Sequence, residues 1–377
     1  MTWDITGMGA VANLGSSPRE IFDRLCMGVD GRSELQCFQL DRYRMHHAYE
    51  IRDRRRPGVD EPFRATRWLI AAVRQALEDA SLPPDLAEVP VLIGTTMREQ
   101  RTTELWWREE TPPAPSRQHF GPALREAFGC AATYTLANAC AASVYALGLG
   151  ADLLDMGAAD TVVIAGTDSM TESAFGMLDR VQEGTPDGLR PFDESHRGVV
   201  MGEGAVAVVL QRRGAGRQLR ARLRAVAMNC DAHHATAPHR GGILAAIREA
   251  HRRAGIGPEH VGLVMLHGTA TPLNDATEAA VLTECFGGCP SPPVMTAIKS
   301  MTGHTLGGSG LLSVVVAVHS LDTGRVPPIW GLRQPIAEAR GLRLARGCVI
   351  EPGLRLAQVD SFGFGGINAV ASVEAAP

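Results

Sequence analysis

The stretch GLVMLHGTATPLNDATEAAVLTECFG, Gly262 to Gly287, reads as a buried strand, a turn and a helix in direct succession. Leu263 to Leu266 is apolar without a break, as a strand covered on both faces requires. After Thr-Ala-Thr-Pro the pattern turns helical, from Asp275 to the glycine that ends it. A strand handing over to a helix is the unit of an α/β sheet, and the loops at strand ends are where such proteins keep their chemistry. His267 stands in that loop.

The same alternation extends along the chain. VPVLIGTT (89–96), TVVIAGTDS (161–169), GAVAVVLQ (204–211), VMTAI (294–298) and NAVASVE (368–374) are short and rich in valine or isoleucine, and read as further buried strands. ATRWLIAAVRQALEDASL (65–82), CAASVYALGLGADLLDMG (140–157) and GGILAAIREAHRRAG (241–255) read as helices. The pattern predicts an α/β fold whose helices cover mostly buried sheets. The arginine-rich QRRGAGRQLRARLRA (211–225) follows a strand and carries two glycines. It reads as a turn between halves of similar content, 1–215 and 216–377, although no sequence repeat is detectable. Pro112, Pro113 and Pro115 mark a loop ahead of Cys140.

Composition narrows the function. Of 377 residues 45% are apolar, enough for a large core, and 21% are charged, as in ordinary soluble proteins. A net charge of −4 argues against nucleic-acid binding and gives no reason for membrane attachment. The N-terminus lacks the pattern of a signal peptide, and the apolar stretch from Leu311 to Val318 is too short to span a bilayer. Eight scattered cysteines show no disulfide framework, and Cys285 and Cys289 have no second pair at finger-like spacing. The expectation is a cytoplasmic protein with reduced thiols and no metal.

Four residues invite covalent chemistry. Lys299 is the one lysine among 37 lysine and arginine residues, and it stands in KSMTGHTLGGSG beside His304. An ammonium is a compact charge whose proton can be tuned by burial, unlike a guanidinium. Cys140 opens an apolar helix, where the positive end of the macrodipole and unpaired N–H groups would lower a thiol pKa and bind an oxyanion. Each alone has a plain reading, as a buried cysteine or a structural histidine. SFGFGGINAV (361–370) follows the strand-like LAQVD with three glycines in four residues. Such a loop can aim N–H groups at an oxyanion or simply make a tight turn.

Together TGMGAVANLG at Thr6, NACAAS, RPFDESHRGVVMGEGAVAVVL, HGTATPLNDATEAA, KSMTGHTLGGSG and SFGFGGINA resemble the elongating β-ketoacyl-acyl-carrier-protein synthases, in one order over nearly the whole chain. The resemblance implies the thiolase fold, two similar βαβαβαββ halves in a five-layered αβαβα sandwich, as a homodimer or pseudo-symmetric heterodimer. It implies that Cys140 takes an acyl group as a thioester, and that His267 and His304 promote decarboxylation of a malonyl-carrier and stabilise the enolate. Backbone N–H groups of Cys140 and Phe364 would form the oxyanion hole, with Phe364 as a gate. Thr269 and Thr271 would hold the 4′-phosphopantetheine arm of an acyl carrier protein, no other cofactor being implied. Lys299 would sit in a charged network with Asp275 and Glu278.

The chain also departs from the pattern. Ser313 stands where fatty-acid members carry glutamate, which points towards polyketide-type relatives. Asn274 and Thr167 replace usual glycines, and the segments flanking Val89 to Thr96 are short. No second cysteine of a thiolase is present, and Cys140 distinguishes the chain from a subunit that has lost its nucleophile. Two alternatives stay open: an acyltransferase on the same scaffold, delivering to an alcohol or amine, and a non-catalytic partner of another ketosynthase. Arg52, Arg54, Arg55 and Arg56 precede a helix bearing Arg64 and Arg67; in the resembled family a basic patch here receives the acidic carrier. The alternative reading is local pairing with Asp53 and Asp60.

Overall fold

Ten strands hydrogen-bond into one sheet in the computed structural model of the protein, which describes residues 2–54, 58–107 and 114–377. Arg55, Arg56, Pro112 and Pro113 lie outside the described residues. Half one runs β1 (Trp3–Ala12), α1 (Arg64–Asp79), β2 (Val91–Gly94), α2 (Phe120–Phe128), β3 (Thr133–Leu136), α3 (Ala142–Asp155), β4 (Thr161–Asp168) and β5 (Gly204–Arg212). Half two repeats the succession as β6 (Ala221–Cys230), α4 (Arg240–Ala254), β7 (Leu263–Met265), α5 (Pro272–Phe286), β8 (Val294–Thr296), α6 (Ser309–Thr323), β9 (Leu356–Gly363) and β10 (Ile367–Ala375). Further helices and short strands lie between them.

The strand orders match as well, β1-β5-β4-β2-β3 in one half and β6-β10-β9-β7-β8 in the other. The duplication invisible in the residues is therefore plain in the topology. The half-sheets meet where β1 pairs antiparallel with β6, Trp3 opposite Leu223 and Ile5 opposite Ala221. Only residues 213–220 make the connecting turn; Gln211, Arg212 and 221–225 of the arginine-rich stretch are strand residues.

Packing explains the layers. Helices α3 and α6 touch strands of both half-sheets, and one core joins Val144 and Leu147 of α3, Leu311 and Val315 of α6, and inward residues such as Leu92, Ile164, Leu263 and Ala357. Helices α1 and α2 cover the outer face of half one, and α4 and α5 cover that of half two. The result is αβαβα. Gly7 and Gly9 let α1 lie directly on β1, since a Cβ there would come within 2.1 Å and 2.0 Å of the Ala76 and Ala72 carbonyls.

One expectation is corrected by α6. With the turn before it, Leu306–Thr323 is long and apolar enough in length and composition to cross a membrane, not too short. Its apolar surface is taken up inside the protein instead, 83% of the window being buried between the half-sheets.

Candidate active site

Both inner helices begin at the centre of the molecule, and each is preceded by one 3₁₀ turn, Ala139–Ala141 before α3 and Leu306–Gly308 before α6. Ala139 and Leu306 open these turns with φ of 47° and 48°. That left-handed geometry costs a non-glycine residue about 1–3 kcal/mol and persists only where packing enforces it. In half one the turn presents the Cys140 thiol to half two, and His304 Nε2 lies 3.0 Å from its Sγ. The His304 backbone is fixed in turn: its N–H donates to Val200 O and its carbonyl accepts from Gly202 N, both at 2.9 Å.

His267 completes the cluster from the end of β7. Its ring centroid is 5.7 Å from that of His304 at 83°, and it packs on Phe362. Opposite charges grip its backbone from two sides. Glu278 Oε1 accepts the His267 N–H at 2.6 Å, and Lys299 Nζ donates to the His267 carbonyl at 2.5 Å. The other Glu278 oxygen accepts from Gly268 N and Asn274 Nδ2. Burial pulls the Lys299 ammonium down to about 8, opposed first by Glu278, whose carboxyl burial pushes up to about 7. Asp275 also attracts Lys299, and it has hydrogen-bond partners of its own. It accepts from Phe192 N and Ala270 N, with His196 Nδ1 at 3.2 Å, and so steadies the loop of Thr269 and Thr271, whose hydroxyl oxygens are 3.0 Å apart.

The expected low thiol pKa is overturned. Burial, joined by a smaller push from the Asp168 carboxylate, raises the Cys140 thiol to about 11, and Lys299 with the N–H groups of Cys140 and Phe364 offsets only part of that. The same burial, reinforced by Lys299, holds both imidazoles well below the ordinary histidine range. A neutral thiol thus faces two neutral imidazoles. No partner among the described residues engages either Nδ1, so no carboxylate locks the tautomer. The two N–H groups aimed at the sulfur are those the resemblance named for the oxyanion hole. Phe364 keeps its backbone inward while its side chain, in a residue 48% exposed, stands in the turn between β9 and β10.

The basic patch is also corrected. Arg64 is only 2% exposed and pairs with Asp53 at 2.6 Å, Glu203 at 2.9 Å and Asp60 at 3.1 Å, its guanidinium over the Trp68 ring. Arg54 joins the same network through Glu50, Asp60 and Glu203. A cation satisfied inside the protein offers nothing to a docking partner. Arg67 remains at the surface, paired with Glu61. Among the described residues no cluster of three or more His, Cys, Asp or Glu could hold a metal.

Three residues escaped the sequence reading. Ser361 Oγ donates to Cys140 O at 3.0 Å, and Thr96 Oγ1 donates to Ala139 O at 3.1 Å. Asp168, at the end of β4, accepts from Thr95 Oγ1, Thr96 N, Met97 N and Gly307 N. Its one signal was a carboxylate closing an otherwise apolar strand.

Residues 4–215 match the family model described as beta-ketoacyl synthase, N-terminal domain, and residues 220–333 match the corresponding C-terminal domain. The chain is 29% identical over 402 residues to a 3-oxoacyl-acyl-carrier-protein synthase 2 of Synechocystis sp., covering 97% of this chain and 95% of that protein. It is 27% identical over 400 residues to the chloroplastic synthase II of Arabidopsis thaliana, covering 97% and 74%. The solved ishigamide ketosynthase/chain length factor superposes with a TM-score of 0.90 at 28% identity, over 100% of this chain and 99% of that one. A beta-ketoacyl synthase from Burkholderia phymatum shares the fold, with a TM-score of 0.84 at 22% identity over 100% and 99% of the two chains.

Proposed function

The chain belongs to the β-ketoacyl synthase family, and from that premise we propose that it performs a decarboxylative Claisen condensation, joining an acyl thioester on Cys140 to a malonyl-carrier to give a 3-oxoacyl-carrier. The observation that carries this reading is the 3.0 Å approach of His304 Nε2 to the Cys140 thiol, with a second neutral imidazole beside it.

The thiol attacks the incoming thioester as His304 takes its proton. The N–H groups of Cys140 and Phe364 receive the carbonyl oxygen as it becomes anionic. The proton passes to the departing pantetheine thiol, leaving acyl-Cys140. When malonyl-carrier follows, His304 exchanges its hydrogen from the unpartnered Nδ1 to Nε2, and His267 and His304 both donate Nε2–H bonds to the thioester carbonyl. That oxygen gains charge only as CO₂ leaves, so the bonds favour the transition state over the bound substrate. The enolate carbon forms the new C–C bond, the C–S bond to Cys140 breaks, and the thiolate takes one proton from solvent. Neutral imidazoles suit this work, since they donate without protonating the carbanion. Burial, reinforced by Lys299, keeps them neutral.

Acyl transfer to an alcohol or amine would need one base and an oxyanion hole; the second imidazole, gripped by Glu278 and Lys299, favours condensation. Thr269 and Thr271 are proposed to bind the pantetheine arm of the acyl carrier protein. Ser313, in place of an acid, favours a polyketide or specialised fatty-acid role. The open edge of β3, with Tyr134 exposed, supports pairing with a second ketosynthase-like subunit. The eight free thiols fit a reducing compartment, and the cytoplasm is the proposed location.

The test is intact-protein mass after incubation with a panel of acyl-carriers, for wild type and Cys140→Ala, followed by malonyl-carrier. Acylation that depends on Cys140, then loss of that mass with a 3-oxoacyl-carrier, is the expected result. Acylation without a condensed product would replace the reading with acyl transfer. No acylation would replace it with a non-catalytic subunit.

A further inference from the structure

The duplicated halves surround two equivalent points, and only one is the site described above. Aligning the interior pairs Leu92↔Ile164 and Leu263↔Ala357 sets Thr96 against His267 and Asp168 against Ser361. The turns before the inner helices set Cys140 against Gly307. At the first point Cys140 of half one meets His267 and Ser361 of half two. At the second, Gly307 of half two meets Thr96 and Asp168 of half one.

The second point is closed. A Cβ at 307 would lie 2.5 Å from Thr95 Cα, so no nucleophile fits. Its N–H groups remain aimed inward, and the fully buried Asp168 carboxylate occupies them. It accepts Gly307 N and Met97 N at 2.7 Å, Thr96 N at 2.9 Å and the Thr95 hydroxyl at 2.7 Å. Such a nest stabilises an anion, and these donors offset part of the burial that pushes Asp168 up to about 6.

This carboxylate reaches both members of the reacting pair. Gly307 stands three residues beyond His304, and Thr96 donates its hydroxyl to Ala139 O, next to Cys140. We propose that Asp168 is a positioning residue whose carboxylate, lodged in the duplicated counterpart of the active site, sets the approach of His304 to Cys140 from both sides. The proposal rests on the reading of Cys140 as nucleophile.

Asp168→Asn and Asp168→Gly test it, with the rate of Cys140 alkylation by iodoacetamide as the readout and circular dichroism to verify the fold. Asp168→Asn should fold and alkylate about ten- to a hundredfold more slowly, since supporting partners of a reactive group are worth roughly that much, whereas loss of the Asp168 charge alone, which raises the thiol pKa, would speed alkylation. In Asp168→Gly, added formate should restore much of the rate while chloride at equal ionic strength should not. A wild-type rate in Asp168→Asn, a folded Asp168→Gly indifferent to formate, or failure of both variants to fold would each overturn the proposal. Alkylation needs no acyl substrate, so wild type that alkylates but never condenses would sink the condensation reading and leave this one intact.

Discussion

Half one supplies a thiol and half two supplies two imidazoles and an ammonium, on scaffolds with the same succession of elements, the same strand order and the same left-handed residue before the inner helix. At one of the two equivalent points the residues are Cys140, His267 and Ser361; at the other they are Gly307, Thr96 and Asp168. The first holds groups that exchange protons, and the second holds an internal ion that nothing displaces. The backbone therefore provides two inward nests of N–H groups, and a few side chains decide which one reacts.

The largest expected contrast lies between Cys140 and Gly307. Cys140→Ala should abolish acylation, at least about a thousandfold, with melting unchanged. Gly307→Ala should leave the thiol in place but lower stability by about 1–3 kcal/mol or more, because its Cβ has no room. If thermal melts show Gly307→Ala tolerated, the second point is not closed.

Next come His267 and Thr96. His267→Ala should slow decarboxylation of malonyl-carrier by about 10²–10⁴ while sparing acylation of Cys140. Thr96→Ala loses one hydrogen bond, about 1 kcal/mol, and should change turnover less than tenfold. Equal losses in the two variants would erase the distinction between the halves.

Lys299→Met removes the buried ammonium that donates to the His267 carbonyl and attracts the Glu278 carboxyl, and should cost about 1–3 kcal/mol of stability, part of it regained when Glu278→Gln is added. A denaturant titration of single and double variants would show whether that coupling exists.

The pH responses are gentler. Burial raises the Glu278 carboxyl from 4.5 to about 7 in the fold, so the folded state holds a proton that the unfolded chain releases. The stability from this group is full below about 4.5 and lost as pH rises through about 7, so the melting difference between wild type and Glu278→Gln should shrink across that window. Alkylation of Cys140 should keep accelerating towards about 11, and a plateau below about 8.5, the free-thiol value, would contradict the burial argument. The smallest effect belongs to the surface of half one. Arg67→Glu should raise KM for carrier substrates about two- to fivefold and spare coenzyme A thioesters, as expected for an exposed charge that steers encounter.

Legibility in the sequence follows the same divide. The reacting residues lie in short loops after apolar strands, where histidine, lysine and cysteine stand out, and the six strands read from valine-rich runs are all present. β1 was harder because Gly7 and Gly9, needed for contact with α1, dilute its apolar pattern. The start of β6 was hidden by arginine; Arg224 pairs with Glu374 on the adjacent strand. Arg64 was half legible: its local partners Asp53 and Asp60 were the alternative reading, but Glu203 is 139 residues away in sequence. Asp168 was invisible for a related reason, since its donors come from both halves and none announces itself locally.

The pairing of Trp3 with Arg212 and with Leu223 has a consequence for how the molecule comes into being. A strand formed by the first dozen residues waits for partners about 190 to 220 positions later, so the first half-sheet closes only once Gly204–Arg212 has emerged and the second only when the last strand has. The intervening length must first be gathered, at an entropic cost that grows only slowly with loop size but delays closure. Until then β1 is an unpaired edge open to a wrong neighbour. Synthesis therefore passes through a long, vulnerable interval, and assembly of the catalytic centre comes at the end of it.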